Sequence, residues 1–116
     1  MALKETKFTV LITFDITVDG RTEVYSKVTK QLADNGFTKE SPSGVELPEN
    51  VYYGVIARPV EFDDEGHVSV GELKSASDSI SARVIELLEQ IFDINDVQNK
   101  MLVHVGRKST STTVIK

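Results

Sequence analysis

The chain has 116 residues, of which 40% are hydrophobic and 27% are charged, and its formal net charge is −5. This length and composition are typical of one folded domain and not of a disordered chain. The absence of cysteine excludes a disulfide framework, a thiolate zinc site and a cysteine nucleophile.

The charges are distributed unevenly along the chain. Residues 1–60 hold 7 basic and 8 acidic side chains, residues 61–96 hold 2 and 10, and residues 97–116 hold 4 and none. The acidic balance argues against tight non-specific binding to duplex nucleic acid, although a local basic surface stays compatible with phosphate recognition. Every apolar run is too short to span a membrane, and MALKETKF lacks the apolar core of a secretory signal. We therefore expect no membrane association and a cytoplasmic protein.

The first predicted element is a strand over residues 7–19. Its apolar side chains recur at every second position, which is the period of a strand with one buried face. The predicted core face consists of Phe8, Val10, Ile12, Phe14, Ile16 and Val18. The mostly polar opposite face consists of Thr9, Leu11, Thr13, Asp15, Thr17 and Asp19.

A helix is predicted to begin near Arg21 or Thr22, after the break at Asp19-Gly20. Its apolar stripe has a spacing of four and is formed by Val24, Val28 and Leu32. Asn35-Gly36 is a good stop, because glycine adopts the left-handed conformation after the last turn without steric cost. Residues 37–40 are predicted to form a short second strand, followed by turns around Pro42 and Pro48.

The second half of the chain predicts strand, helix and strand. Residues 51–58 are β-branched and aromatic and read as a central strand, and residues 67–70 are a candidate extra strand. Ser75 and Asp78 have the spacing of a capping box that would start a second helix. Residues 100–107 form the last predicted strand. The domain is thus expected to cover residues 1–108, and residues 109–116 to form a frayed tail or an edge extension.

The element order β-α-β-β-α-β predicts an α+β, ferredoxin-like fold. In this arrangement two helices cover one face of a four-stranded antiparallel sheet. The other face is left open, and the first strand would place Leu11 on it, together with a tyrosine from residues 52–53. An open sheet face with apolar side chains usually meets a partner, often a second copy of the same chain.

Two residues are candidates for catalysis. Asp15 lies toward the end of the first strand, where a carboxylate can accept a proton or hold a divalent cation such as Mg²⁺; its alternative role is to end the strand and cap Gly20 and Arg21. His104 is a candidate general base near neutral pH, and its alternative is a packed or half-exposed strand residue. Two docked copies would bring their Asp15 side chains together, and the like charges would then need a metal or a shared proton.

Several basic residues are candidates for nucleic-acid contacts. Arg21, Lys27 and Lys30 belong to the first helix region, and Arg107 and Lys108 follow one another at the end of the last strand. Such side chains bind phosphate oxygens. Taken singly, each is better explained as part of a solvated helix face or tail.

Four segments resemble a small ferredoxin-like group of nucleic-acid enzymes: FTVLITFDIT, LADNGF, LPENVYYGVI and MLVHVGR. The group includes the CRISPR-associated adaptation nucleases, the VapD-type ribonucleases and the GhoS-type antitoxin endoribonucleases. The shared pattern is an apolar strand ending in an aromatic residue and aspartate, here Phe14-Asp15, followed by a helix. Similarity to the GhoS type adds the step at Asn35-Gly36-Phe37 and the segment Leu47-Pro48-Glu49-Asn50.

The resemblance covers roughly residues 7–58 and 75–106 and implies a homodimer that acts on RNA in a toxin–antitoxin or defence system. Asp15 would then take the place of the family's strand-end aspartate, and Lys27 and Lys30 would match basic residues of its first helix. One departure is the long acidic segment 58–74. An alternative function is a non-catalytic protein that binds a partner through its open sheet face or acidic loop, as small antitoxins, immunity proteins and phage inhibitors do.

Overall fold

A computed structural model of the chain describes residues 2–17, 20, 23–39 and 51–110. The elements are β1 (Ala2–Thr17), α1 (Glu23–Asp34), β2 (Val51–Phe62), α2 (Val70–Ile94) and β3 (Gln98–Arg107), with a short 3-10 turn at Lys108–Thr110. Residues 111–116, most of the predicted tail, lie outside the described residues. None of the helices in this part of the chain is long and apolar enough to cross a membrane.

The alternation of β1 produces the two predicted faces. On the helix side, Phe8, Val10 and Ile12 are completely buried and Phe14 is 3% exposed. The strand is longer at its start than the predicted 7–19, because Ala2 to Lys7 continue to pair with β2. The prediction of a half-buried strand is confirmed.

The predicted four-stranded sheet is wrong. In the described residues the sheet is three-stranded and antiparallel, in the order β2-β1-β3 with β1 in the centre. Of the predicted strand at residues 37–40, residue 40 lies outside the described residues, and residues 37–39 form one isolated bridge, between Thr38 and Tyr53. The physical reason is the turn after α1: the N–H of Phe37 bonds the carbonyl of Leu32 at 2.9 Å, so it is not available to extend the bridge.

Both helices pack on the same face of the sheet and close one core. α1 contributes Val24, Val28 and Leu32, as its stripe predicted, and α2 contributes Ile80, Val84, Leu88, Ile91 and Phe92. Phe14 joins the layers, because its ring stacks on Tyr52 at a centroid distance of 5.4 Å and meets the Phe92 ring edge-on at 5.1 Å. The Tyr52 hydroxyl shares a 2.7 Å hydrogen bond with the Thr29 hydroxyl of α1.

The start of α2 differs from the prediction. The N-cap is Ser69, whose hydroxyl accepts a hydrogen bond from the Glu72 N–H at 3.0 Å, which satisfies one of the free donors of the first turn. Residues 67–70 therefore lead into the helix instead of forming an extra strand. Ser75 lies inside the helix, and Asp78 pairs with Lys74 at 3.2 Å one turn away, so the predicted capping box is not the helix start.

Candidate functional site

The open face of the sheet carries both predicted catalytic residues. Asp15 is exposed on β1, and its register partner on β3 is Lys100. Opposite charges on facing residues of an antiparallel pair attract one another. No group of three histidine, aspartate or glutamate side chains suited to a metal occurs among the described residues. Mg²⁺ prefers several oxygen ligands and Asp15 supplies one carboxylate, so the Mg²⁺ site at Asp15 stays a prediction.

His104 lies on the same face as Asp15 but in a different row. It is exposed and faces Leu11 across the β1–β3 pair. Leu11 and Asp15 are four residues apart on β1, which corresponds to about 13 Å along a strand. One chain therefore does not bring Asp15 and His104 together as an acid–base pair.

The predicted basic residues of α1 lie on the other side of the molecule. Lys27 and Lys30 are exposed on α1, whose apolar side packs on the core face of the sheet. They are thus separated from Asp15 by the sheet and the core. Arg21 lies outside the described residues.

The predicted pair Arg107 and Lys108 belongs to a larger basic patch. β3 ends at Arg107, which pairs with Phe8, while β1 continues back to Ala2. Where β1 extends beyond the end of β3, one depression of about 550 Å³ is lined by Lys4, Lys7, Arg107 and Lys108 together with Phe62. We call these four side chains the basic patch; Glu5 is the acidic residue among its lining residues.

The Phe62 ring forms the floor of the basic patch. The Lys4 Nζ lies 5.3 Å and the Arg107 Cζ 5.9 Å from its centroid, within the range of cation–π attraction. Because the ring is 7% exposed, it holds the two cations in place and is not available for stacking on a base.

The sequence analysis missed Lys4 and Lys7. They lie about 100 residues from Lys108 along the chain, and antiparallel pairing of the first and last strands brings them together. The length of the first strand could have indicated them. If the strand begins before residue 7, Lys4 and Lys7 belong to it and lie beyond the last residue of β3.

The acidic loop after β2 forms its own hydrogen bonds. The Asp63 carboxylate accepts from the His67 N–H at 2.8 Å and from the Glu65 N–H at 2.9 Å. These bonds, chiefly the one from His67, lower the pKa of Asp63 below its ordinary value of 3.8. Asp63 is therefore used to shape the loop.

Exposed apolar side chains lie on the open face near His104. Leu102 is 59% and Val55 39% exposed, and both flank Leu11, Thr9 and Thr13 of the central strand.

Comparison with protein-family models, curated proteins and solved structures finds no match for this chain. The basic patch and the apolar open face are thus the two surfaces from which a function is argued.

Proposed function

We propose that the protein binds RNA as a homodimer in the cytoplasm, with the basic patch contacting phosphates. The observation that carries this proposal is the convergence of Lys4, Lys7, Arg107 and Lys108 around one depression in a chain of net charge −5. Grouped cations neutralise several neighbouring phosphates at once and release their counterions, which is the main source of affinity for nucleic acids.

The open face supports the dimer. It presents Leu102 and Val55, both substantially exposed, on either side of β1. In a two-fold dimer both copies use the same patch, so each apolar position contributes buried area from both copies. The resemblance to small ferredoxin-like nucleases implies the same assembly.

RNA cleavage is a second step of the proposal and depends on the dimer. Because Asp15 and His104 lie about 13 Å apart along the strand direction, an acid–base pair would have to combine Asp15 of one copy with His104 of the other. Asp15→Asn would then abolish cleavage and leave RNA affinity unchanged.

The test measures binding of a fluorescein-labelled, 20-nucleotide single-stranded RNA by anisotropy over a range of salt concentrations. In Lys7→Glu/Lys108→Glu we expect weaker binding and a log–log salt slope smaller by about 0.7 for each lost phosphate contact. The matched control is Lys27→Glu/Lys30→Glu, which makes the same change of charge on exposed positions of α1. Circular dichroism checks that both variants are folded.

Three outcomes would contradict the proposal. They are no RNA binding at low salt, equal losses in both double variants, and a loss in the α1 variant alone. The last two results would assign the effect to net charge or to α1. Lysines at a sheet edge can instead serve to prevent strand-to-strand aggregation. If that is the role of the basic patch, the Lys7→Glu/Lys108→Glu variant would aggregate without any change in RNA affinity.

Cleavage is followed in the same samples by gel electrophoresis, with magnesium and with chelator. Discrete products that disappear in Asp15→Asn would support a ribonuclease. Intact RNA in every lane, with binding retained, would leave RNA binding as the function.

The alternative function is protein binding through the open face, for which the exposure of Leu102 is the specific observation. A non-catalytic antitoxin or inhibitor would use this face for a partner instead of a second copy. Sedimentation of the purified protein distinguishes the two, because a monomer at micromolar concentration would favour the partner.

A further inference from the structure

A groove runs along the edge of β2 that faces away from β1. Its volume is about 770 Å³, within the range of pockets that hold ligands. The larger apolar lining residues are Leu3 of β1, Phe37 after α1, Ile56 of β2, and Ile80, Val84 and Leu87 of α2. The groove shares no lining residue with the basic patch.

Beyond Tyr53, the outer edge of β2 has no pairing strand among the described residues. The Thr38 bridge uses the N–H and C=O of Tyr53, both at 2.8 Å, so these groups point away from β1. By the alternation of an antiparallel strand, the N–H and C=O of Val55 and Ala57 point the same way. No strand of the described residues pairs with them.

Two arginines frame the groove. Arg58 is half-buried on β2 and Arg83 is exposed on α2. The ion pairs of the described residues involve neither guanidinium. None of the described residues that line the groove is acidic, so the two arginines make it a positive site.

We propose that this groove binds an extended peptide segment of a partner protein that carries apolar and acidic residues two positions apart, on the same face of the added strand. The peptide backbone adds to the edge of β2 and bonds Val55 and Ala57. Its apolar side chains enter the groove against Ile56 and Ile80, and its carboxylates bind the two arginines. Strand addition supplies affinity through the main chain, and alternate side chains supply specificity. Guanidinium–carboxylate contacts are among the stronger hydrogen bonds.

Pro59 limits the length of the added strand. It occupies the next outward position after Ala57 and has no N–H to donate. A proline at a sheet edge prevents unlimited pairing, so the peptide is held over a short stretch of β2. This favours a short segment of a partner over extensive pairing with a second sheet.

The test uses the full chain and a fluorescein-labelled peptide of eight residues in which every second residue is threonine and the other four are, in turn, valine, glutamate, valine and glutamate. We expect saturable binding with shifts of the Val55 and Ala57 amide resonances in ¹⁵N-resolved NMR spectra. Arg58→Gln/Arg83→Gln should weaken binding by about tenfold or more, because two charged hydrogen-bonding groups are lost. The matched control, Lys27→Gln/Lys100→Gln, removes the same charge at exposed positions and should bind as the native chain does.

Two further peptides separate main-chain from charge recognition. Methylation of the peptide amides that face β2 should abolish binding, and the same peptide with lysine in place of glutamate should not bind. Equal binding of the methylated peptide would overturn strand addition. Binding without any effect of the arginine substitutions would overturn the groove as the site.

Other occupants give distinct results, each of which overturns the peptide. If the peptide does not bind but decanoate does, and its binding depends on Arg58 and Arg83, the groove is a site for a small carboxylate. A dimer of the protein alone that dissociates in the arginine variant would identify an interface between copies. None of these results depends on RNA binding, so the two proposals fail or succeed separately.

Discussion

The two faces of β1 differ although they belong to the same strand. On the helix side, Phe8, Val10 and Ile12 are completely buried under two helices. On the open side, Leu11 and Thr13 are only half-buried, and Asp15 is exposed. Thr9 is the exception at 6% exposure, since it lies in the middle of the sheet between Val55 and Gly106.

This difference separates what holds the fold together from what is free for function. Burial of apolar area is the main stabilising contribution, and in the described residues it is concentrated on the helix side. Substitutions there should reduce the free energy of unfolding, whereas substitutions on the open side should change contacts with other molecules.

The largest expected effect is that of Phe14→Ala. Loss of a ring packed between Tyr52 and Phe92 should lower the free energy of unfolding by about 3–5 kcal/mol, measured by urea denaturation. In the monomer, Leu102→Ala on the open face is the control and should change it by less than about 0.5 kcal/mol. At concentrations at which the proposed homodimer forms, a larger loss in Leu102→Ala is expected, because the second copy then buries the open face. A large loss that does not depend on concentration would break the comparison.

Gly54→Ala tests how tightly the core face is packed at the edge. An added Cβ would lie 2.5 and 2.8 Å from two Phe37 ring carbons and 3.0 Å from the Gly36 carbonyl oxygen. We expect a loss of about 1–3 kcal/mol from this overpacking, measured by thermal and urea unfolding.

A double-mutant cycle with Phe37→Leu checks the cause. The leucine side chain gives the new methyl group room, so the two changes together should cost less than their sum. Strict additivity would contradict the contact between Gly54 and Phe37.

Ser69→Ala and Ser75→Ala locate the start of the helix that covers the core face. Ser69→Ala should cost about 1 kcal/mol, because the Glu72 N–H loses its acceptor. Ser75→Ala should stay within about 0.5 kcal/mol, since this exposed residue lies inside the helix. The reverse order of the two effects would place the helix start where the capping-box pattern predicted it.

The smallest effect concerns the acidic loop, which belongs to neither face. The folded loop lowers the pKa of the Asp63 carboxylate below its ordinary value of 3.8. The ionised carboxylate therefore stabilises the fold above pH 3.8, and this contribution is lost as the pH falls through the lower pKa of the folded state. The Glu65 and His67 amide resonances should shift over that acidic range. In Asp63→Asn this pH dependence should disappear; its persistence would assign the shift to another group.

Much of the fold could be predicted from local patterns. The period of two in β1 and the spacing of four in α1 each report a surface that must be buried, and both elements were found. The start of α2 was wrong because Ser69-x-x-Glu72 and Ser75-x-x-Asp78 are equivalent as sequence patterns. Only packing of the additional turn, where Leu73 contacts the core, distinguishes them.

The candidate site was less accessible. Asp15 and His104 lie on one face, and their separation depends on the register between β1 and β3, which no local pattern contains. The same pairing gathered Lys4 and Lys7 with the predicted Arg107 and Lys108, whereas Lys27 and Lys30 lie on the far side of the core. The RNA, dimer and magnesium expectations stay predictions.

The sequence by itself determined the α+β class, the buried face of β1 and the apolar stripes of both helices, because these follow from the periodicity of neighbouring residues. Tertiary structure decided how residues 37–39 pair, since the N–H of Phe37 is bonded to Leu32 and Thr38 alone among these three residues pairs with β2. It also decided which charges meet, because side chains far apart in the chain become neighbours only through strand register. Arg58 and Arg83 beside one groove are the clearest case: nothing local relates them, and the packing of α2 on β2 brings them together.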